Sequence, residues 1–563
     1  MKQVKSLPGL LIVSLFFMFS AAAQENNFPA MRGADAVEQL KKSGDFVSLR
    51  DSLRLARQSD KPFGDLSKLD AVGQLLTLEW RHESSMTSSD GTAEDLFGYS
   101  VAVSGSTAIV GSVGSDVGAN SNQGAAYIFI HSGNSWTQQA KLNADDGAAF
   151  DNFGRSVAID GDTVIVGTTG DVGLNDNQGK AYVFVRSGTI WTQQTMLTAN
   201  DGTAQDFFGT SVAISGETAI VGATFDDVGA NADQGSAYIF VRSKNSWSQQ
   251  AKLTADNGAA FDNLGNCAAI SGDTVIVGAY FADVGGNANQ GAAYIFARSD
   301  DRWIQEAQFT ANTALFGNSV AIDGDTAVVG VFGDDIGANP NQGSAYVYAR
   351  SGGGWTQQSH LTAADGEANA NFGRSVGVSG DTIVVGANSD DVGANVNQGS
   401  AYIFNKANSI WTERKKLIDH DGAAIDNFGI SAAVSGNKVV IGSFSTDIET
   451  RSILDETGNT GNVGVNQGAA IFFVNAPRQA PTISISGRIT DLRRRAISAA
   501  TVTATDSRDA IFTTLVKTNG TFNFENMLAG ETYTINVYAR RYRFLPQIVN
   551  SNTNLSNVNF IGN

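Results

Sequence analysis

Carboxylates and carboxamides at fixed spacing are the side chains of this sequence best suited to chemistry. One pattern reads Asp-Val-Gly-x-Asn-x-Asn-Gln-Gly, with Asp116, Asn120 and Asn122 in one copy and Asp391, Asn395 and Asn397 in another. A second reads Asp-Gly-x-x-x-Asp, as in Asp90/Asp95, Asp146/Asp151, Asp201/Asp206 and Asp421/Asp426. A hard cation such as Ca²⁺ collects several carboxylate, carboxamide and carbonyl oxygens from loops, so all of these are candidate metal ligands. Asp, Asn and Gly are also the residues that build turns by bonding their own backbone. Both readings stand on the sequence alone.

Other chemistry is harder to find. His82, His131, His360 and His420 show neither metal-ligand spacing nor a triad. Cys267 is the only cysteine, so no intrachain disulfide forms, and it stands where sister segments carry Ser100, Ser156 or Ser211. The carboxylate pairs recur, whereas a catalytic site normally breaks such symmetry, so no acid and base are singled out. The expectation is a protein with no catalytic residues. Symmetry does break once, in a loop over residues 447–466 that is 13 residues longer than its siblings. Its Asp447, Arg451, Asp455, Glu456 and Asn462 are candidate ligand contacts, since an insertion on one loop of an array often marks a special contact.

These loops must be held by a repeated frame. A unit of ~56 residues recurs seven times, marked by Trp80, Trp136, Trp191, Trp247, Trp303, Trp355 and Trp411. An aromatic-Gly pair normally follows 17 residues on, as in Phe97-Gly98, Phe153-Gly154 and Phe208-Gly209, with Leu264-Gly265 the variant. Further along comes Asn-Gln-Gly or Asp-Gln-Gly, ending at Gly124, Gly179, Gly235, Gly291, Gly343, Gly399 and Gly468. Within a unit, two β-branched runs flank a short Gly turn (Ser156 to Asp160, then Thr163 to Gly167), and two more strands follow near Lys180 and Ile190. Seven four-stranded units predict a β-propeller. The last unit lacks its fourth strand and a spare strand ends at Trp80, so the N-terminal strand is expected to complete the seventh blade and remove the open edges.

Phe-Gly-x-Ser-Val-Ala, Val-Gly-Ala (Val221 to Ala223, Val277 to Ala279, Val385 to Ala387) and Gly-x-Ala-Tyr-Ile-Phe together resemble the FG-GAP repeat. That repeat builds the seven-bladed ligand-binding head of integrin α chains and of many bacterial exported proteins. The resemblance implies ligand binding or adhesion. It does not carry over a metal site, because the Asp-x-Asp-x-Asp-Gly calcium loop of integrin-type repeats is replaced here by a turn such as Ser-Gly-Asp-Thr. Residues 482–563 resemble the carboxypeptidase regulatory-like domain through Gly487 to Asp491, Thr518 to Phe522 and Ala529 to Tyr533. This second resemblance implies a transthyretin/Ig-like β-sandwich acting as an accessory, without peptidase activity.

The whole chain constrains partners further. Its 563 residues carry a formal charge of −18, which disfavours nucleic acid and anionic membrane. Residues 1–23 read as a cleaved signal peptide, with Lys2 and Lys5 ahead of an apolar run too short to span a bilayer. The spacing of Ala36, Val37, Leu40, Phe46, Leu49 and Leu53 predicts a short helical N-terminal segment over 24–72. The expected order is signal 1–23, helical segment 24–72, seven-bladed propeller 73–476, linker 477–481 and β-sandwich 482–563: an all-β chain with a short helical start. The expected function is non-enzymatic recognition of an extracellular protein or glycan through the propeller's loop face, with Ca²⁺ the candidate cofactor and no membrane insertion. The setting is secreted, cell-surface or periplasmic. The alternatives are a polysaccharide hydrolase or lyase, or a structural spacer in a surface layer.

Overall fold

A computed structural model describes residues 78–446, 466–477, 482–498, 500–505, 511–528, 532–550 and 553–562. The expected signal peptide at 1–23, the expected helical segment at 24–72 and most of the expected 477–481 linker lie outside the described residues. The described chain forms two compact units, one over Trp80–Asn475 and one built on Ala476–Asn563. Among the described residues every regular element is a strand.

The first unit consists of seven four-stranded antiparallel sheets, here blades 1 to 7, beginning at Phe97, Phe153, Phe208, Leu264, Phe316, Phe372 and Phe428. Blade 1 runs Phe97–Ser104, Thr107–Ser112, Ala125–Ser132, Ser135–Leu142. The first strand is innermost and packs against the first strands of both neighbouring blades. The second strand is buried along its whole length in blades 1 to 4 and at all but its first residue in blades 5 to 7, which suits its Val/Ile run. Blade 7 takes its outer strand, Leu78–Met86, from the start of the chain. The expected closure is therefore what holds the ring shut.

The two sequence signatures prove to be halves of one contact between blades. Gly124 bridges Phe153 of the next blade, whose N–H donates to the Gln123 carbonyl at 2.8 Å. Gly124 has φ +83°, and a Cβ there would lie 2.1 Å from the Phe153 carbonyl oxygen, so only glycine fits. The same bridge joins Gly468 of blade 7 to Phe97 of blade 1. An inner circle of side-chain bonds reinforces it. Ser100 Oγ donates to the Gly154 carbonyl at 2.7 Å, and each blade repeats this until Ser431 reaches Gly98. Cys267 keeps the bond with sulfur, donating to Gly317 O at 3.2 Å.

The apolar core lies between blades rather than within them. One cluster joins Ile109, Ile128 and Leu142 of blade 1 to Phe153, Val164 and Trp191 of blade 2. Another joins Phe97, Tyr127 and Trp136 to Val440 and Phe472 of blade 7. Each such side chain, when buried, contributes about 1.5–3 kcal/mol. No blade could hide its faces alone.

In the second unit a three-stranded sheet (Thr521–Leu528, Thr482–Asp491, Phe560–Gly562) and a four-stranded one (Ile511–Leu515, Ala500–Thr505, Thr532–Ala539, Gln547–Asn550) share one core. Ile485, Phe522 and Phe560 from the first meet Val502, Tyr533 and Ile535 from the second. Alternation of buried and half-buried positions along Ala500–Thr505 is the pattern of strands with one covered face.

Candidate ligand-binding face

The connections between second and third strands and those between successive blades emerge together, and the structure shows how they are held. Asn120 Nδ2 donates to Gln123 Oε1 at 2.8 Å and to the Gly147 carbonyl, in the connection to the next blade, at 3.0 Å. Asn395 does the same with Gln398 and Gly422. Asp116 accepts the Asn122 N–H and Asp391 that of Asn397, both at 2.8 Å. Asn122 and Asn397 sit at φ +52° and +53°, a conformation asparagine tolerates.

The second carboxylate of each Asp-Gly-x-x-x-Asp loop caps its own turn. Asp95 and Asp206 accept the N–H and hydroxyl of Thr92 and Thr203, while Asp151 and Asp426 accept the N–H of Ala148 and Ala423. Burial raises the pKa of Asp95 and Asp206, and these bonds only partly offset it. The first carboxylate faces the following blade. Asp90 accepts from Lys141 Nζ at 2.7 Å and from Tyr127 at 2.9 Å, Asp146 from Tyr182 at 2.7 Å, and Asp201 from Lys252 at 2.7 Å. Partial burial pushes Asp90 up, but Lys141 and Tyr127 outweigh it and hold it below the ordinary carboxylate value. In the loop before blade 7 the Asp421 N–H donates to Asp419 Oδ1 at 3.2 Å, and Ile471 stands at the tyrosine position of that blade.

Among the described residues, no three His, Cys, Asp or Glu side chains converge as a metal site would require. The carboxylates and carboxamides read from the sequence thus come together by blade, as turn caps and ion pairs. They do not form a shared cage. Asp447, Arg451, Asp455, Glu456 and Asn462 lie outside the described residues. His131 contacts Glu83, which also accepts the Trp136 indole N–H, and His360 contacts Asp334. Ser344 Oγ donates to Asp334 at 2.5 Å, so that hydroxyl faces a carboxylate and not an imidazole.

The structure adds residues the sequence reading passed over. One position before each capping Asp, the backbone turns left-handed and the side chain points outward. Phe150 (φ +67°, 65% exposed), Phe261 (φ +70°, 61%) and Ile425 (φ +71°, 63%) occupy that position in three of the connections. Their N–H groups donate at 2.9 Å to Ser121, Ala232 and Val396 of the preceding loop. Val396 and Leu174 are exposed on the same set of loops. A bulky apolar residue in left-handed backbone is strained, and it persists only where surrounding bonds dictate the conformation. A phenylalanine between turn residues was the available signal.

A family model described as FG-GAP repeat matches residues 80–129, 136–184, 191–240, 247–296, 303–348, 355–404 and 411–462, more than half of the chain. No curated protein matches the chain at a significant level.

Proposed function

The chain belongs to the FG-GAP repeat family, and from that premise we propose that it is an exported, non-enzymatic recognition protein that binds a protein or glycan through the loop face of its ring. The observation that carries this reading is the display of Phe150, Phe261 and Ile425 on loops locked by their own hydrogen bonds. Rigid, exposed apolar side chains ringed by polar groups are what a binding hot spot needs, because little entropy is lost on contact. The C-terminal unit would serve as a carboxypeptidase regulatory-like accessory, and residues 1–23 as a signal removed on export.

The test compares the mature protein with a Phe150→Ser/Phe261→Ser/Ile425→Ser variant on glycan and extracellular-matrix protein arrays. Saturable binding by the first and at least tenfold weaker binding by the second, at equal thermal stability, supports the reading. Undiminished binding by the variant would overturn it. Calcium assistance, expected from the sequence, is left out of this proposal because the loop carboxylates already have protein donors. A metal at ~100 times its Kd would add about 2.7 kcal/mol. Millimolar CaCl₂ against EDTA should shift the unfolding midpoint by less than ~1 °C, and a rise of several degrees would restore these carboxylates as ligands.

A further inference from the structure

The third position of the Phe-Gly-x motif lies at the start of each innermost strand, around the ring axis. It holds Tyr99, Thr210, Asn266, Asn318 and Ile430 in five blades and arginine in the other two, Arg155 in blade 2 and Arg374 in blade 6. Around a ring of seven these two blades are almost opposite. Arg155 donates to the Tyr99 hydroxyl at 3.3 Å, and its buried Nε has no partner. Arg374 donates to Asn318 Oδ1 at 3.3 Å and lies 5.8 Å from the Phe332 ring. Neither forms an ion pair with any described carboxylate, in a chain of net charge −18.

Arg155 bonds across to the inner strand of blade 1 and Arg374 to the start of that of blade 5, so the two guanidinium groups lie on nearly opposite sides of the axis, and both oppose the burial that raises the Tyr280 phenol of blade 4. The ionisable groups whose field supports Arg374 are Tyr99, Tyr280 and Cys267. Burial raises the Tyr280 phenol and pushes the Cys267 thiol up to about 12, so neither supplies an anion at pH 7. Half-buried positive charge without a counter-charge is costly, and an arriving anion relieves that cost. Planar guanidinium forks match the geometry of carboxylate, sulfate and phosphate.

We propose that Arg155 and Arg374, flanked by Tyr99 and Tyr280, form an oxyanion-binding site on the ring axis that takes a carboxylate, sulfate or phosphate group. The site needs none of the apolar loop residues and would stand if the loop face bound nothing.

Isothermal titration calorimetry of the mature chain with sodium sulfate, phosphate and acetate, at ionic strength matched with NaCl, tests it. The expected result is saturable binding of at least one oxyanion at one per chain, weakened at least tenfold by Arg155→Gln/Arg374→Gln. Preference for acetate marks a carboxylate group as the natural ligand, and preference for sulfate or phosphate an inorganic or ester oxyanion. Arg155→Gln alone gives up only the Tyr99 bond, so it remains informative if the double variant does not fold, with a loss of at least fivefold expected. Absence of saturable binding to all three ions, or unchanged binding by the variants, overturns the proposal.

Discussion

Rim and axis of the ring use arginine in opposite ways. On the rim, Arg186, Arg242, Arg298 and Arg350 each lie 5.2–5.5 Å from the ring of the tryptophan on the adjoining strand. Each also pairs with an acid in its blade's hairpin turn: Asp162, Glu217, Asp273 or Asp325. On the axis, Arg155 and Arg374 have no such acid. The rim arrangement recurs in four blades, and there each arginine also donates to a threonine of the preceding blade, Thr107, Thr163, Thr218 or Thr274, so it holds neighbours together. The axis and the loop tips differ from blade to blade and keep unused bonding capacity or exposed apolar area. Deviation from the repeat is therefore a better guide to function here than the repeated polar residues themselves.

The latch between blades should be the most damaging place to break the repeated side of this contrast. Gly124→Val forces a branched side chain into φ +83° with backbone 2.1 Å away. A loss of more than ~4 kcal/mol, or failure to fold, is expected in urea unfolding. A loss under ~1 kcal/mol would mean that packing alone holds adjacent blades.

Next comes Lys252, which bridges half-exposed Asp201 and buried Asp226, both at 2.7 Å. Lys252→Met leaves Asp226 with Tyr238 and should cost about 2 kcal/mol at pH 7, somewhat below a fully buried pair. The cost should depend on pH. Partial burial raises Asp201, but Lys252 outweighs it and the folded pKa falls below the unfolded one. The folded state then binds fewer protons, so this stability is complete above the ordinary carboxylate value and is lost as pH falls below it through the lowered folded pKa. The gap between wild type and variant should narrow as pH falls below the ordinary carboxylate value, and a constant gap would remove the ion pair from the account.

Phe261→Asn sharpens the functional side. Asn369 occupies the same position in another blade, and asparagine tolerates left-handed backbone better than phenylalanine. The variant should gain about 0.5–1 kcal/mol while losing ligand affinity on the arrays. Stability gained with affinity intact would make Phe261 a passive surface residue.

Arg414→Gln should gain a similar amount or slightly less. Three residues after a tryptophan, Glu83, Gln139, Gln194, Gln250 and Gln358 each accept the indole N–H of the next blade. At the closing junction that position holds Arg414, which has no acceptor, and the buried Trp80 Nε1 has no partner; Trp355 Nε1 is also without one, where Glu306 stands at that position and lies beside Arg350. Supplying a carboxamide should add about 0.5–1 kcal/mol, read from the shift in urea midpoint. No gain would mean that strand spacing at the closure differs from the other junctions.

Much of the ring was legible because β-branched runs and turn glycines repeat seven times, and because the last unit visibly lacked the strand that the first had spare. The joining of Gly124 to Phe153 was not legible, since nothing in either motif says that they meet across blades. The loop carboxylates were found but their role was open, because a turn cap and a calcium ligand call for the same side chain. Only Asp95 holding Thr92, or Asp116 holding Asn122, separates the two. Phe150 and Phe261 escaped notice because apolar residues are expected inward, and the left-handed backbone that turns them outward leaves no mark in composition. The axial arginines escaped for a related reason: the x of Phe-Gly-x varies freely, and only the closed ring sets residues 155 and 374 around one axis.

The smallest expected effect falls on the repeated inner circle, at Cys267. Six serines hold the neighbouring blade's glycine carbonyl at 2.7–2.8 Å, and the thiol spans 3.2 Å as a weaker donor. Cys267→Ser restores the stronger bond but removes sulfur from a partly buried place beside the core cluster of Phe316 and Val320. These terms nearly cancel, so a gain of at most ~0.5 kcal/mol is expected from urea unfolding. With the thiol pushed up to about 12 by burial, alkylation of the folded protein at pH 8 should be slow and should accelerate on unfolding. Rapid labelling of the folded chain would show that the axis opens at blade 4, and Arg374 would then have a water-accessible neighbour instead of a sealed one.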